Sequence, residues 1–357
     1  MMHKYKELID SPLFNVSLAS RELFHSNLWA WIINKEKNNT FLSFISSIKD
    51  FKQVQVYREK LNIDLLLDID GKLIVVENKI KSLPNKQQLL MYQNKLGKKF
   101  YKGIIISLLK PSFELPKGWC YISYREIIDV ISKINFENDY YNLLIKDYCK
   151  MINNICDIMD DFINSTKNTL YYDYSNLELI KFEDTCRKLK ANQFVDYLYD
   201  ELALSHNAIN EKSVYNFDIY SDYSNKKSII NIAYTIKKDK AKESRIGIQI
   251  EGNQYRRFVA KFNSDESFDD IFETYLNLDW FEKYSVLEKK VFNHITGIRN
   301  KNGYCKYFGS GKNSYKFVYQ YYYINDYTFD SLFKTIKDDI RIIEELLQKE
   351  GIKKWNK

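Results

Sequence analysis

Residues 62–79 hold two β-favouring runs joined by Asp70-Gly71, and this junction constrains the fold more than any other stretch of the 357-residue chain. The first run is Asn62-Ile63-Asp64-Leu65-Leu66-Leu67-Asp68-Ile69; the second is Lys72-Leu73-Ile74-Val75-Val76-Glu77-Asn78-Lys79. Asp-Gly between such runs predicts a hairpin with a two-residue type I′ turn, since both turn residues must adopt positive φ. Ile69 then faces Lys72, and counting outward sets Asp64 directly across from Glu77. Facing side chains on one sheet surface have Cβ atoms about 4.5–5.5 Å apart, and like charges there repel. Alternation sends Ile63, Leu65, Leu67, Ile69, Ile74 and Val76 to one face, expected to be core. Asp64, Leu66, Asp68, Leu73, Val75, Glu77, Lys79 and Lys81 go to the other.

A divalent cation converts the repulsion between Asp64 and Glu77 into ligation. Hydrolysis of a phosphodiester needs oxygen ligands for Mg²⁺, a metal-activated water, and a cation near the developing negative charge. Lys79, two residues after Glu77 and on the same face, supplies the cation. Asp68 faces Leu73 and stays outside this set. Glu-x-Lys by itself is weakly specific, and a solvated face with mixed charges is the competing reading. The apolar run Leu73-Ile74-Val75-Val76 weighs against that reading, because it predicts a strand covered on both faces.

Length allows two domains. A net charge of +7 and a pI near 8.8 favour nucleic acid or another polyanion as partner. No signal peptide and no membrane-spanning apolar run is evident, so a cytoplasmic protein with no membrane partner is expected. Five scattered cysteines without a CxxC pair argue against a zinc site, and only four histidines argue against a His-based centre. The chemistry is carboxylate chemistry.

Along the chain, residues 20–34 predict a buried helix with an apolar stripe of Phe24, Leu28, Trp31 and Ile32. Glu22, Ser26 and Ala30 form a smaller, more polar face, and His25 is expected to pack rather than act as a base. A short helix over 41–48, strands at 54–57, 63–69 and from 73, a helix over 86–96 ended by Gly97, strands at 103–108 and 120–124, and a helix over 126–134 follow. This order is that of an α/β sandwich. A long helix over 140–163 leads into the polar stretch 164–169, where a domain boundary is expected, giving domains 1–165 and 166–357. The second half predicts an α+β module with strands at 214–220, 229–234, 246–251, 258–262 and 317–323 and helices at 268–276 and 329–350. In it, Ile236–Lys242 reads as a solvated turn and Gly309–Lys312 as a hairpin turn. Tyr319, Tyr321 and Tyr323 read as a packed aromatic strand face, with base stacking the alternative.

With the hairpin and first helix in place, residues 20–125 resemble the PD-(D/E)XK nuclease superfamily, in which an acid opens the second core strand and Glu-x-Lys ends the third. Asp64 and Glu77-Asn78-Lys79 occupy those places, with Ile63 where a proline is usual. Glu22-Leu23-Phe24-His25-Ser26-Asn27 resembles a helix motif whose glutamate lies near the metal, and Gln88 and Tyr92 resemble the Gln-x-x-x-Tyr of several nuclease families. The resemblance implies a restriction-endonuclease-like αβββαβ core with a C-terminal α+β module. It implies that Asp64, Glu77 and Glu22, with the main-chain carbonyl of Asn78, hold Mg²⁺ or Mn²⁺, that Lys79 orients water or stabilises charge, and that Gln88 and Tyr92 support the site. Arg58, Lys60, Lys81 and Lys86 are the expected phosphate contacts. The expected function is a DNA endonuclease, with bacterial antiviral defence as its setting. An RNase using the same site and a non-cleaving nucleic-acid-binding or effector-sensing protein are the alternatives. A homodimer and an activating partner or ligand fit the class; substrate selection, dimerisation and sensing stay open for residues 166–357.

Overall fold

The computed structural model describes residues 2–20, 22–170, 172–206, 216–224, 226–237, 243–281, 304–309 and 314–349. The chain divides into two compact units, Met1–Ser165 with Tyr174–Thr185 and Thr166–Asp173 with Cys186–Lys357. Among the described residues no helix is long and apolar enough to cross a membrane.

The first unit opens with helices α1 (Met2–Asp10), α2 (Pro12–Ser20), α3 (Glu22–Lys35) and α4 (Thr40–Ser46). Strands β1 (Val54–Arg58), β2 (Leu65–Ile69) and β3 (Lys72–Lys79) follow, then α5 (Lys86–Leu96), β4 (Phe100–Ser107), β5 (Trp119–Ser123), α6 (Tyr124–Ile131), α7 (Asp139–Ser165) and α8 (Ser175–Leu179). The sheet order is β1-β2-β3-β4-β5, antiparallel through β3 and parallel from β3 to β5. This is the expected αβββαβ core.

The hairpin register is the predicted one. Ile69 pairs with Lys72 and Leu65 with Val76, and Asp70 and Gly71 both take positive φ, 50° and 82°. Asp68 accepts from Gly71 N at 2.9 Å, and the Asp70 carboxylate accepts from the amides of Lys52 and Gln53, so both acids serve the turn. One expectation fails. Ile63 does not share the Leu65–Leu67 face; it packs with Leu66, Val75, Leu89, Tyr92 and Ile105 under α5. The cause is local: Glu59, Leu61 and Asn62 adopt φ of 52°, 63° and 58°, so alternation starts only at Leu65.

Both faces of β3 are covered, since Ile74, Val75 and Val76 are all buried. Asn85 caps α5 by accepting from Gln88 N, Gly97 closes it, and a Ser123–Glu126 capping box starts α6. The buried face of helix α3 is not the expected stripe. His25, Ser26, Trp29, Ala30, Ile32 and Ile33 are its buried residues, while Trp31 packs on Phe136 and Tyr141.

The second unit holds most of α9 (Glu183–His206) and strands β6 (Asn216–Ser224), β7 (Lys227–Lys237), β8 (Glu243–Glu251) and β9 (Gln254–Phe262). It continues with α10 (Phe268–Asn277), β10 (Cys305–Gly309), β11 (Tyr315–Tyr323) and α12 (Phe329–Lys349). The six strands form an antiparallel sheet in the order β10-β11-β9-β8-β7-β6. One core joins the sheet to α9, α10 and α12. Helices α1, α2, α8 and α9 and strand β10 were not among the expected elements. Tyr319 lies beside Tyr321 and under the Arg256 guanidinium, and Tyr321 beside Tyr323, which is a packed aromatic face. Residues 238–242 and 310–312, parts of the two expected turns, lie outside the described residues.

At Gly103 of β4 an added Cβ would run into the ring of Trp119, which is itself buried. Gly103→Ala is expected to destabilise the protein by about 1–3 kcal/mol in chemical denaturation, the range for overpacking a core; an unchanged midpoint would contradict this packing.

Candidate active site

Glu77 sits near the end of β3 and is 1% exposed. Its Oε1 accepts from Lys79 Nζ at 2.7 Å, while its buried Oε2 has no hydrogen-bond partner among the described residues. Burial first, then the negative charge of Asp64, push the Glu77 carboxyl up to about 7, with Lys79 and the nearby Tyr92 hydroxyl pulling the other way. Asp64 lies one step beyond the last ladder pair of the hairpin, and its Oδ2 accepts from Asn78 N at 2.8 Å. Burial raises its pKa, and the Asn78 bond and the Lys79 charge oppose that rise. Two acids and a lysine therefore converge at the mouth of the hairpin.

Glu22, in the first turn of α3, accepts at Oε1 from Ser82 Oγ at 2.8 Å and from Lys81 N at 3.3 Å. It fastens the segment after β3, and its charge contributes to the raised pKa of Asp64. Among the described residues no three His, Cys, Asp or Glu side chains are gathered as a preformed metal cage. Asn78 has a larger part than its sequence context suggested. Its side chain points to the face opposite Glu77, where Nδ2 donates to the Glu22 carbonyl at 2.6 Å and Oδ1 accepts from Tyr124 Oη. A fully buried Asn inside an apolar strand must find such partners, which is the signal by which the sequence could have shown it. His25 is a packing residue, as expected: it is buried, sits 3.1 Å from Tyr148 Oη, and is held near pKa 3 by burial and by Lys81.

Residues 13–150 match a family model of the PD-(D/E)XK nuclease superfamily. This part of the chain belongs to that superfamily. Comparison with curated proteins and with solved structures gives no match.

The nuclease-superfamily unit brings Gln88 and Tyr92 together. Gln88 Nε2 donates to Tyr92 Oη at 2.7 Å, and Tyr92 Oη donates to the Asn62 carbonyl at 2.8 Å. Burial, then the charge of Glu77, raise the Tyr92 pKa. The four basic residues separate. Arg58 is exposed, with Nη1 3.2 Å from Asn27 Oδ1. Lys60 is exposed and lies over the Tyr57 ring, and Lys86 is exposed at the start of α5. Lys81 instead turns inward, its Nζ 3.4 Å from the Ile180 carbonyl and over the Phe182 ring.

The donor set fits a hard divalent cation. Two neighbouring carboxylates, one with a buried and unpartnered oxygen, are hard ligands of the kind Mg²⁺ and Mn²⁺ take, usually one or two per ion with water filling the remaining positions.

The raised Glu77 pKa fixes the sign of a pH effect. From about pH 4.5 to 7 the folded state keeps a proton that the unfolded chain has released, so Glu77 makes the metal-free protein less stable as pH rises through this window. A shift of this size corresponds to roughly 3 kcal/mol. Denaturation in EDTA at pH 5 to 8 is expected to show this slope in wild type and a flatter one in Glu77→Gln; identical slopes would contradict the burial assigned to Glu77.

Proposed function

We propose that the N-terminal unit is a Mg²⁺- or Mn²⁺-dependent endonuclease that hydrolyses phosphodiester bonds in DNA. The observation that carries this reading is the buried, half-unpartnered Glu77 carboxylate beside Asp64 and Lys79. Asp64 and Glu77 hold the metal, with the Asn78 main-chain carbonyl as a further donor, and Glu22 adds negative charge beside them. The bound cation supplies Lewis-acid activation of a water and neutralises charge at the scissile phosphate.

The rest is the work of the chain's own groups. Lys79 Nζ, held 2.7 Å from Glu77 Oε1, orients the attacking water and faces the negative charge that develops on the phosphate oxygens. Asn78 fixes the spacing of the two acids by donating its amide to Asp64. Arg58, Lys60 and Lys86 contact flanking phosphates, which makes binding weaken with salt. Lys81 is not among these contacts, since its ammonium is engaged within the unit. The net charge of +7 supports a polyanionic substrate. Bacterial defence against foreign DNA, with a homodimer or an activating ligand or partner, is the setting we propose.

The test is cleavage of plasmid, linear duplex, single-stranded DNA and RNA with Mg²⁺, Mn²⁺ or EDTA. DNA cutting that EDTA abolishes is expected, with Glu77→Ala and Lys79→Ala slower by on the order of 10²–10³-fold or more. Cutting of RNA alone would replace DNA with RNA as the substrate. Wild-type rates in both variants would sink the site.

A further inference from the structure

Between β1 and β2 the chain makes a turn that ordinary side chains resist. Glu59, Leu61 and Asn62 all lie in the left-handed region, at φ of 52°, 63° and 58°. None is glycine, and leucine has no local hydrogen bond with which to offset that conformation. The turn ends two residues before Asp64, and Asp64 closes it by accepting at its main-chain carbonyl from Glu59 N at 3.3 Å.

Helix α5 holds this turn at two adjacent carbonyls. Tyr92 Oη donates to Asn62 O at 2.8 Å, with Gln88 Nε2 fixing the hydroxyl from behind, and Lys95 Nζ donates to Leu61 O at 2.8 Å. Tyr92 and Lys95 lie about one helical turn apart on α5, so one rigid element grips both positions. Leu61 itself is 42% exposed, so its side chain does not anchor the turn.

We propose that Tyr92 and Lys95 are positioning residues that hold the Glu59–Asn62 turn in its strained form and thereby set Asp64 against Glu77. Neither is hydrogen-bonded to Asp64; Lys95 acts through the main chain alone, while Tyr92 also lies beside the Glu77 carboxyl. Lys95, a surface lysine by its burial, is then a mount for a metal ligand and not a phosphate contact. The inference rests on the metal-nuclease reading of the site.

The test is calorimetric titration of Mn²⁺ into the full chain without nucleic acid. Tyr92→Phe with Lys95→Met is expected to weaken Mn²⁺ binding by about tenfold or more, the usual effect of removing groups that orient metal ligands. Adding Leu61→Gly is expected to restore most of the affinity, because glycine adopts the left-handed region without strain. Lys95→Met alone, at an exposed position, keeps the test available should Tyr92→Phe fold poorly; it is expected to weaken binding by a part of the loss expected of the pair. Wild-type affinity in the tested variant, or a loss that Leu61→Gly leaves unchanged, overturns the proposal. Glu77→Ala separates the two readings: if it binds Mn²⁺ as wild type does, the metal site itself is wrong, whereas lost binding there with intact binding in the α5 variants overturns only the positioning role.

Discussion

An oxygen of Glu77 lies inside the protein without a hydrogen-bond partner among the described residues, and much of the N-terminal unit is organised around keeping it there. An unsatisfied buried acceptor costs about 1–3 kcal/mol, and more when charged. Lys79 offsets part of this at the other oxygen, and the neighbouring Asp64 adds to it. For stability alone, an apolar residue on β3 would serve better, since Val75 and Val76 are already covered on both sides. Such a cost fits a residue held for chemistry.

The surrounding parts make that placement rigid. Asn78 uses its amide for Asp64 and its side chain for the Glu22 carbonyl and Tyr124, so neighbouring residues of one strand serve opposite faces. Glu22 returns the contact by holding Lys81 N and Ser82. On the other side, the turn before Asp64 contains three left-handed residues, which cost roughly 1–2 kcal/mol each where no local bond compensates. Strain and desolvation are thus concentrated around the same two acids, as at sites built for function.

The hairpin register was legible because Asp70-Gly71 admits one tight turn, and the end of α5 because Gly97 marks it. The shared face of Glu77 and Lys79 followed from that register, whereas Asp64, one step before alternation begins, is held in place by the Asn78 amide. Ile63 was assigned to the wrong face because left-handed residues interrupt alternation, and their number cannot be counted from side-chain type. The stripe on α3 was misplaced because large apolar residues lie on both sides of that helix, Trp29 on the buried one and Trp31 against Phe136 and Tyr141. Lys81 was taken for a phosphate contact because sequence gives a cation's charge and not its direction, and here Ile180 and Phe182 draw it inward. In the second unit the antiparallel sheet could be read from its alternating strands, while its conspicuous polar groups satisfy one another. Arg257 pairs with Asp339, which also accepts from Tyr255, and Arg256 pairs with Glu251.

The central claim is that Asp64 and Glu77 form one metal site. An anomalous difference map from crystals grown with Mn²⁺ tests it most directly. The account predicts a peak in contact with both carboxylates, with Lys79 beside it. Saturating Mn²⁺ with no peak there, or a peak bound elsewhere while Glu77 keeps its contact to Lys79 alone, would contradict it.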